Sequence, residues 1–214
     1  MQITDACVYP CPNGSASVRR MALEARALGF DSIVAHETPA CMIGDVTVLC
    51  GVRITAPAAK DVTNQVKQGK GPGRVVSVPA RDSGFNRVVC GMPGVHILRD
   101  IYVADKYAFD HVTGKIAADN GTAVDLDLSP LITMRGHARQ KAIHRYLDIL
   151  NLHHHFEFPI TISSSARSVL GMRTVRDLAG LCSILGMDEE DVRQALLGVA
   201  QVTAPKPTAV MVIS

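Results

Sequence analysis

A chain of 214 residues with 47% hydrophobic content is long enough for one sizeable core. No window approaches the roughly 18 apolar residues of a membrane span, and the opening MQITDACVYP has no basic region followed by a long apolar stretch, so neither a span nor a secretory leader is read and a cytoplasmic location is expected. The formal net charge is only +2, with 4% aromatic residues and no tryptophan, which argues against a stacking platform for single-stranded nucleic acid.

In chain order, residues 3–8 read as a strand. Residues 15–28 read as an amphipathic helix, with Val18, Met21, Ala22, Ala25 and Leu28 on one face and Gly29 as its stop. A short apolar strand at 32–35 is followed by a loop with Pro39 and Gly44, then a strand at 46–54. Pro57 opens a weak helix to residue 67, and Gly69 to Gly73 is a turn. A strand at 74–78, a short helix at 82–89 and a strand at 95–98 come next. The helix at 109–118 ends at Asn120-Gly121, and 122–128 alternates as a strand. A long helix is expected over 137–150 and a strand over 159–163. Thr174 caps a helix to about 185. Asp188 caps another to about 197, with four acids at 188–191 where the helix dipole favours them.

Seven strands separated by helical segments imply βα units and parallel pairing. The expected architecture is a compact (β/α) barrel of the TIM type, a fold that usually takes about 250 residues. An open doubly wound sheet is the second choice. Residues 1–214 are read as a single barrel domain. The tail 203–214 carries Pro205, Pro207 and then an apolar run at 209–213, suited to adding an edge strand or covering the barrel floor.

Charge is unevenly placed. Residues 1–52 carry three Lys/Arg against five acids, residues 53–115 ten against five, and residues 116–214 nine against ten. The basic middle third fits a nucleic-acid-facing surface and also an ordinary solvated one. The six cysteines form no Cys-x-x-Cys pair, which points to reduced, mostly buried thiols rather than a zinc site or disulfides.

The residues suited to chemistry sit at strand ends. Alternation over the first strand puts Asp5, Cys7 and Tyr9 on one, inward face. A metal motif there needs histidines in place of Cys7 and Tyr9. The run PITISSSARS ends a late strand in Ser163, Ser164, Ser165 and Arg167. A metal-dependent barrel phosphoesterase often ends such a strand in Asp-x-His, and the matching positions are Ser165 and Arg167. Serine is a poor ligand and arginine repels a cation, so this edge reads as stripped of ligands. An arginine at a barrel mouth is instead suited to grip phosphate. His36 and Glu37 read as polar edge residues, and His153, His154 and His155 as a helix-exit run. GKGPG lacks the ending of a P-loop. A cationic group at Arg135, His137, Arg139, Lys141, His144 and Arg145 opens the long helix.

Several stretches together carry a resemblance: MALEARALGFDSIVA at 21–35, AFDHVTGKIAADNGTAVDLDLSPLI at 108–132, PITISSSARS, and RTVRDLAGLCSILGM at 173–187. They resemble the archaeal and eukaryotic ribonuclease P protein component 3 family, most strongly over 108–187. The resemblance implies a barrel similar to the polymerase and histidinol phosphatase (PHP) phosphoesterases but without their metal ligands. It implies a subunit of the ribonucleoprotein that removes 5′ leaders from precursor tRNA. In that assembly the RNA and its magnesium ions hydrolyse, and this subunit pairs with protein component 2 to support the catalytic half of the RNA. The expected partners are therefore the ribonuclease P RNA, component 2 and the other protein subunits, with precursor tRNA contacted indirectly and no membrane. No catalytic residue, metal ligand or bound cofactor is assigned to the chain itself. Candidates for neutralising RNA phosphates are Arg81, Arg87, Arg99, Lys115, Arg167, Arg173 and Arg176. The alternative is a barrel phosphoesterase with a non-standard metal site of Asp5, His36, Glu37 and Asp125.

Overall fold

The structure, a computed structural model, describes residues 2–69 and 71–204. Lys70 of the expected 69–73 turn and residues 205–214 of the tail lie outside the described residues.

Eight strands occur among the described residues: β1 (Thr4–Val8), β2 (Ser32–His36), β3 (Cys41–Ile43), β4 (Val46–Arg53), β5 (Arg74–Pro79), β6 (Ile97–Arg99), β7 (Ala123–Asp127) and β8 (Ile160–Ser163). Seven of them run parallel in the order β1-β2-β4-β5-β6-β7-β8, and β3 pairs antiparallel with β4. The barrel is almost closed. The β8 to β1 seam is joined by one parallel bridge, Val8 to Ala166, in which the Tyr9 amide donates to the Ala166 carbonyl at 2.8 Å.

The helices are α1 (Val18–Ala27), α2 (Ala59–Gly69), α3 (Ser83–Cys90), α4 (His111–Asn120), α5 (Ser129–Thr133), α6 (Gly136–Phe156), α7 (Val175–Ser183) and α8 (Glu189–Thr203). Their starts follow from short polar side chains that accept the orphan first-turn amides. Ser17 caps α1, Asp82 caps α3 and Asp110 caps α4. Thr174 and Asp188 form capping boxes with Asp177 and Asp191. The expected helix at 137–150 extends to Phe156 and ends where Glu157 takes a left-handed φ of 56°. The three histidines therefore sit in its last turn.

Two small elements were absent from the sequence reading. Strand β3 lay in the expected loop because Cys41 and Met42 are exposed, so no apolar alternation marks it. Helix α5 is one turn long, too short for helical periodicity, and carries only a proline in its first turn.

Two apolar layers result. The larger packs helices on the outer sheet face, with Met21, Phe30, Val48, Leu98, Leu126, Tyr146, Ile162 and Leu196 among its buried members. The smaller joins Ala6, Val34, Val75, Ile97 and Ala123 with Val199 of α8, and Leu49 and Val202 pack against it. Helix α8 lies against both β8 and β1. It thus backs the seam, and its last turns add apolar side chains to this smaller layer.

Candidate functional site

The C-terminal strand ends form a cleft of about 460 Å3 at the barrel mouth, lined by Tyr9, Arg53, Asp100, Tyr102, Asp127 and Arg167 among others. Beneath it lies a buried polar cluster. Period-two alternation from Ile97 turns Arg99 inward, where it is 3% exposed. Its Nε donates to Asp125 Oδ2 at 3.1 Å, and a second nitrogen donates to Ser163 Oγ and Ser165 Oγ at 3.0 Å each. Asp125 also accepts from Thr161 at 2.9 Å and from Ser163 at 2.7 Å. Burial works against the charge on Arg99, but Cys7, Asp125 and neighbouring acids outweigh it and hold the guanidinium protonated well above its ordinary range. A fixed cation with its own carboxylate and hydroxyl acceptors fills the barrel centre.

This corrects the reading of Arg99 as a phosphate contact: its donors are consumed inside the barrel. The four groups of the alternative metal site do not converge either. Asp125 is held by Arg99. Asp5 lies in the seam, where the backbone amide of Ser164 donates to Oδ1 at 3.0 Å and the Ser164 hydroxyl to Oδ2 at 2.5 Å. The β1 register shifts between Asp5 and Val8, so the expected shared face of Asp5, Cys7 and Tyr9 is broken. Asp5 is instead level with Ile33, a member of the helix-facing core. His36 sits edge-on to Tyr9 with ring centres 5.1 Å apart. Among the described residues, no three His, Cys, Asp or Glu side chains are placed to share a cation.

Burial pushes the Asp5 carboxyl up to about 6, against the opposing pull of the Ser164 hydrogen bonds. Burial lowers His36, with Glu37 opposing, which favours a neutral imidazole. At the rim, Arg53 donates to Asp100 at 2.6 Å and to the Tyr9 hydroxyl at 3.0 Å. Arg167 lies 4.4 Å over the Tyr9 ring and donates to the Asn13 carbonyl at 2.7 Å. Three non-glycine residues with left-handed φ, Glu37, Asp100 and Ser165, follow β2, β6 and β8 around this mouth. Each accepts a side-chain hydrogen bond, from Asn13, Arg53 and Arg99 respectively, which offsets the backbone strain. Arg53 was missed by the sequence reading. Its alternation with Gly51 along β4 was the available signal.

The other candidate cations are dispersed. Arg81 is exposed at the mouth, with its guanidinium 5.5 Å from the Phe85 ring centre. Arg87 pairs with Asp110, the α4 cap. Against desolvation, that pair and the Thr113 donors hold Asp110 well below the ordinary carboxylate range. Lys115 is exposed on α4. Arg173 donates to the carbonyls of Leu170 and Met172 at 2.8 Å. Arg176 is exposed in the first turn of α7, whose Val175 amide bonds to Leu28 at the α1 C-terminus. That is the floor end of the barrel, away from Arg81 and Arg167.

Residues 2–203 match the family described as RNase P subunit p30. The chain belongs to that family. Ribonuclease P protein component 3 of Halorubrum lacusprofundi is 30% identical over 207 residues, covering 88% of this chain and 85% of that relative. The component 3 protein of Haloarcula marismortui is 29% identical over 199 residues, covering 88% and 84%. Among solved structures, a chain of archaeal ribonuclease P with mature tRNA superposes with a TM-score of 0.74 at 16% identity, covering 93% of this chain and 89% of that one. At that identity the likeness speaks to the p30-family fold alone. No helix among the described residues is long and apolar enough to cross a membrane.

Proposed function

We propose that this chain is a protein subunit of ribonuclease P, the ribonucleoprotein that cleaves 5′ leaders from precursor tRNA, and that it supports the RNA without supplying the hydrolytic groups. Family membership over residues 2–203 supports the subunit role. The observation that carries the non-catalytic part is the buried Arg99–Asp125 pair. Metal-assisted phosphoester hydrolysis needs converging carboxylate and imidazole ligands with an open coordination position. Here the carboxylate nearest the barrel centre is occupied by a permanent guanidinium cation, and the strand end that would add ligands offers serine hydroxyls.

On this reading magnesium belongs with the ribonuclease P RNA, and the working partners are that RNA, component 2 and the other protein subunits, in the cytoplasm. Exposed Arg81, Lys115, Arg167 and Arg176 are free to meet phosphates, and Arg87 and Arg173 keep partial access. RNA binding built on such contacts weakens steeply with salt.

The test is a tagged pull-down from native cytosol at moderate salt, with sequencing of bound RNA and a precursor-tRNA cleavage assay on the beads. Enrichment of one structured RNA together with leader removal is the expected result. Beads without RNA and without cleavage would overturn the proposal.

A further inference from the structure

Helix α6 presents a cationic face that the barrel mouth does not use. Residues 135–148 carry four Lys/Arg and a single acid, Asp148. His137, Lys141, His144 and Arg145 fall at i, i+4, i+7 and i+8, one face of the helix, and all four line one cleft of about 460 Å3. Lys106, from the loop between β6 and α4, also lines it. From His137 to Arg145 the row spans about 12 Å.

The charge here is poorly compensated. Asp148 meets Arg145 at 3.7 Å, and Arg145 Nε is buried without an acceptor. Elsewhere the protein neutralises helix cations closely, as where Arg193 on α8 grips Glu190 at 2.6 and 2.8 Å. Next to the cleft stands Tyr107, 77% exposed, with Lys106 Nζ 5.9 Å from its ring centre. A docking site for a folded protein would place apolar side chains at its centre. This one has a single apolar lining residue, Leu147, among Lys106, Lys141, Arg145, His137, His144 and Gln140, with an exposed aromatic ring beside them. Backbone phosphates and an unpaired base need that pairing of groups.

We infer that the α6 cleft is an RNA-docking surface, with phosphates met by the exposed Lys106 and Lys141, flanked by His137 and His144, and one unpaired base stacked on Tyr107. The inference rests on the ribonuclease P reading.

It is tested with the tagged full-length chain and the RNA that co-purifies with it, labelled, by measuring RNA retention across a KCl series. The Lys106→Ala/Lys141→Ala double variant should flatten the slope of log affinity against log salt by about 1.4 to 1.8, the loss of two phosphate contacts. Tyr107→Leu should lower affinity about tenfold with the slope unchanged. Arg19→Ala/Arg20→Ala, an equal charge change on the exposed face of α1, should alter neither. Wild-type slopes in the α6 variants, with RNA still retained by the wild type, would overturn the inference and leave the subunit reading standing. Equal flattening by the α1 control, or loss of a protein partner with RNA affinity intact, would also overturn it. If no RNA co-purifies, both readings fall together.

Discussion

Arg99 lies buried beneath the barrel mouth, and its bonds to Asp125, Ser163 and Ser165 turn that place into internal structure. Removing one partner of a buried pair strands the other's charge, at about 3–5 kcal/mol. Arg99→Met is therefore expected to lower stability by that amount in urea unfolding, and Arg99→Met with Asp125→Asn to recover part of it. Asp5 makes the opposite kind of contribution. Its folded carboxyl titrates near 6 instead of 3.8, so the folded state holds the proton more tightly than the unfolded chain. The resulting stability is fully present below about pH 4 and is lost as pH rises through about 6, by about 3 kcal/mol. Asp5→Asn keeps an acceptor for the Ser164 amide and reverses the bond with the Ser164 hydroxyl, without the charge. It should flatten stability against pH between 4 and 6 in paired urea titrations; an unchanged wild-type slope would remove Asp5 as the source. Neither role was legible in the residues alone. "HILRD" reads equally well as a strand edge with a solvent-facing arginine, and the β1 register shift that separates Asp5 from Cys7 leaves no mark in composition.

Helix α8 shows how an element is fitted to its neighbours. Within a helix, glycine to alanine normally gains about 1 kcal/mol. A Cβ on Gly198 would lie 2.1 Å from the Ile160 carbonyl oxygen and 3.1 Å from Thr161 Cγ2. Helix α8 reaches β8 only because that side chain is missing. Gly198→Ala should destabilise by about 1–3 kcal/mol despite its better propensity, read as a lowered urea midpoint; a raised midpoint would mean that α8 can move off the seam at no cost. Elements with strong local signals were readable in advance. Thr174 and Asp188 marked helix starts because capping is a contact within four residues, whereas α1, read from residue 15, begins only after Ser17. Strand β3 escaped because its pairing with β4, not its side chains, makes it a strand.

At the scale of the molecule, burial divides six similar thiols. Cys11 and Cys41 are exposed, Cys50 is intermediate, and Cys7, Cys90 and Cys182 are buried, with burial pushing both Cys90 and Cys182 up to about 12. Labelling of the native protein at neutral pH should modify two cysteines quickly and a third slowly, leaving three until denaturant is added. Fast labelling of four or more would show that the barrel opens readily. The sequence reading of mostly buried thiols holds for three of the six.

By itself the sequence determined the alternation of strands and helices and the parallel barrel they imply, because periodicity, caps and glycine stops are local in the chain, and its stretches at 108–132 and 173–187 carried the resemblance to the family. Only the tertiary structure decided that Arg99 faces inward, that Asp5 closes a seam with Ser164, and that candidate cations split between mouth and floor. Those outcomes depend on register and on contacts between residues as far apart as Asp5 and Ser164, and sequence spacing carries no record of which distant strand end a side chain will meet.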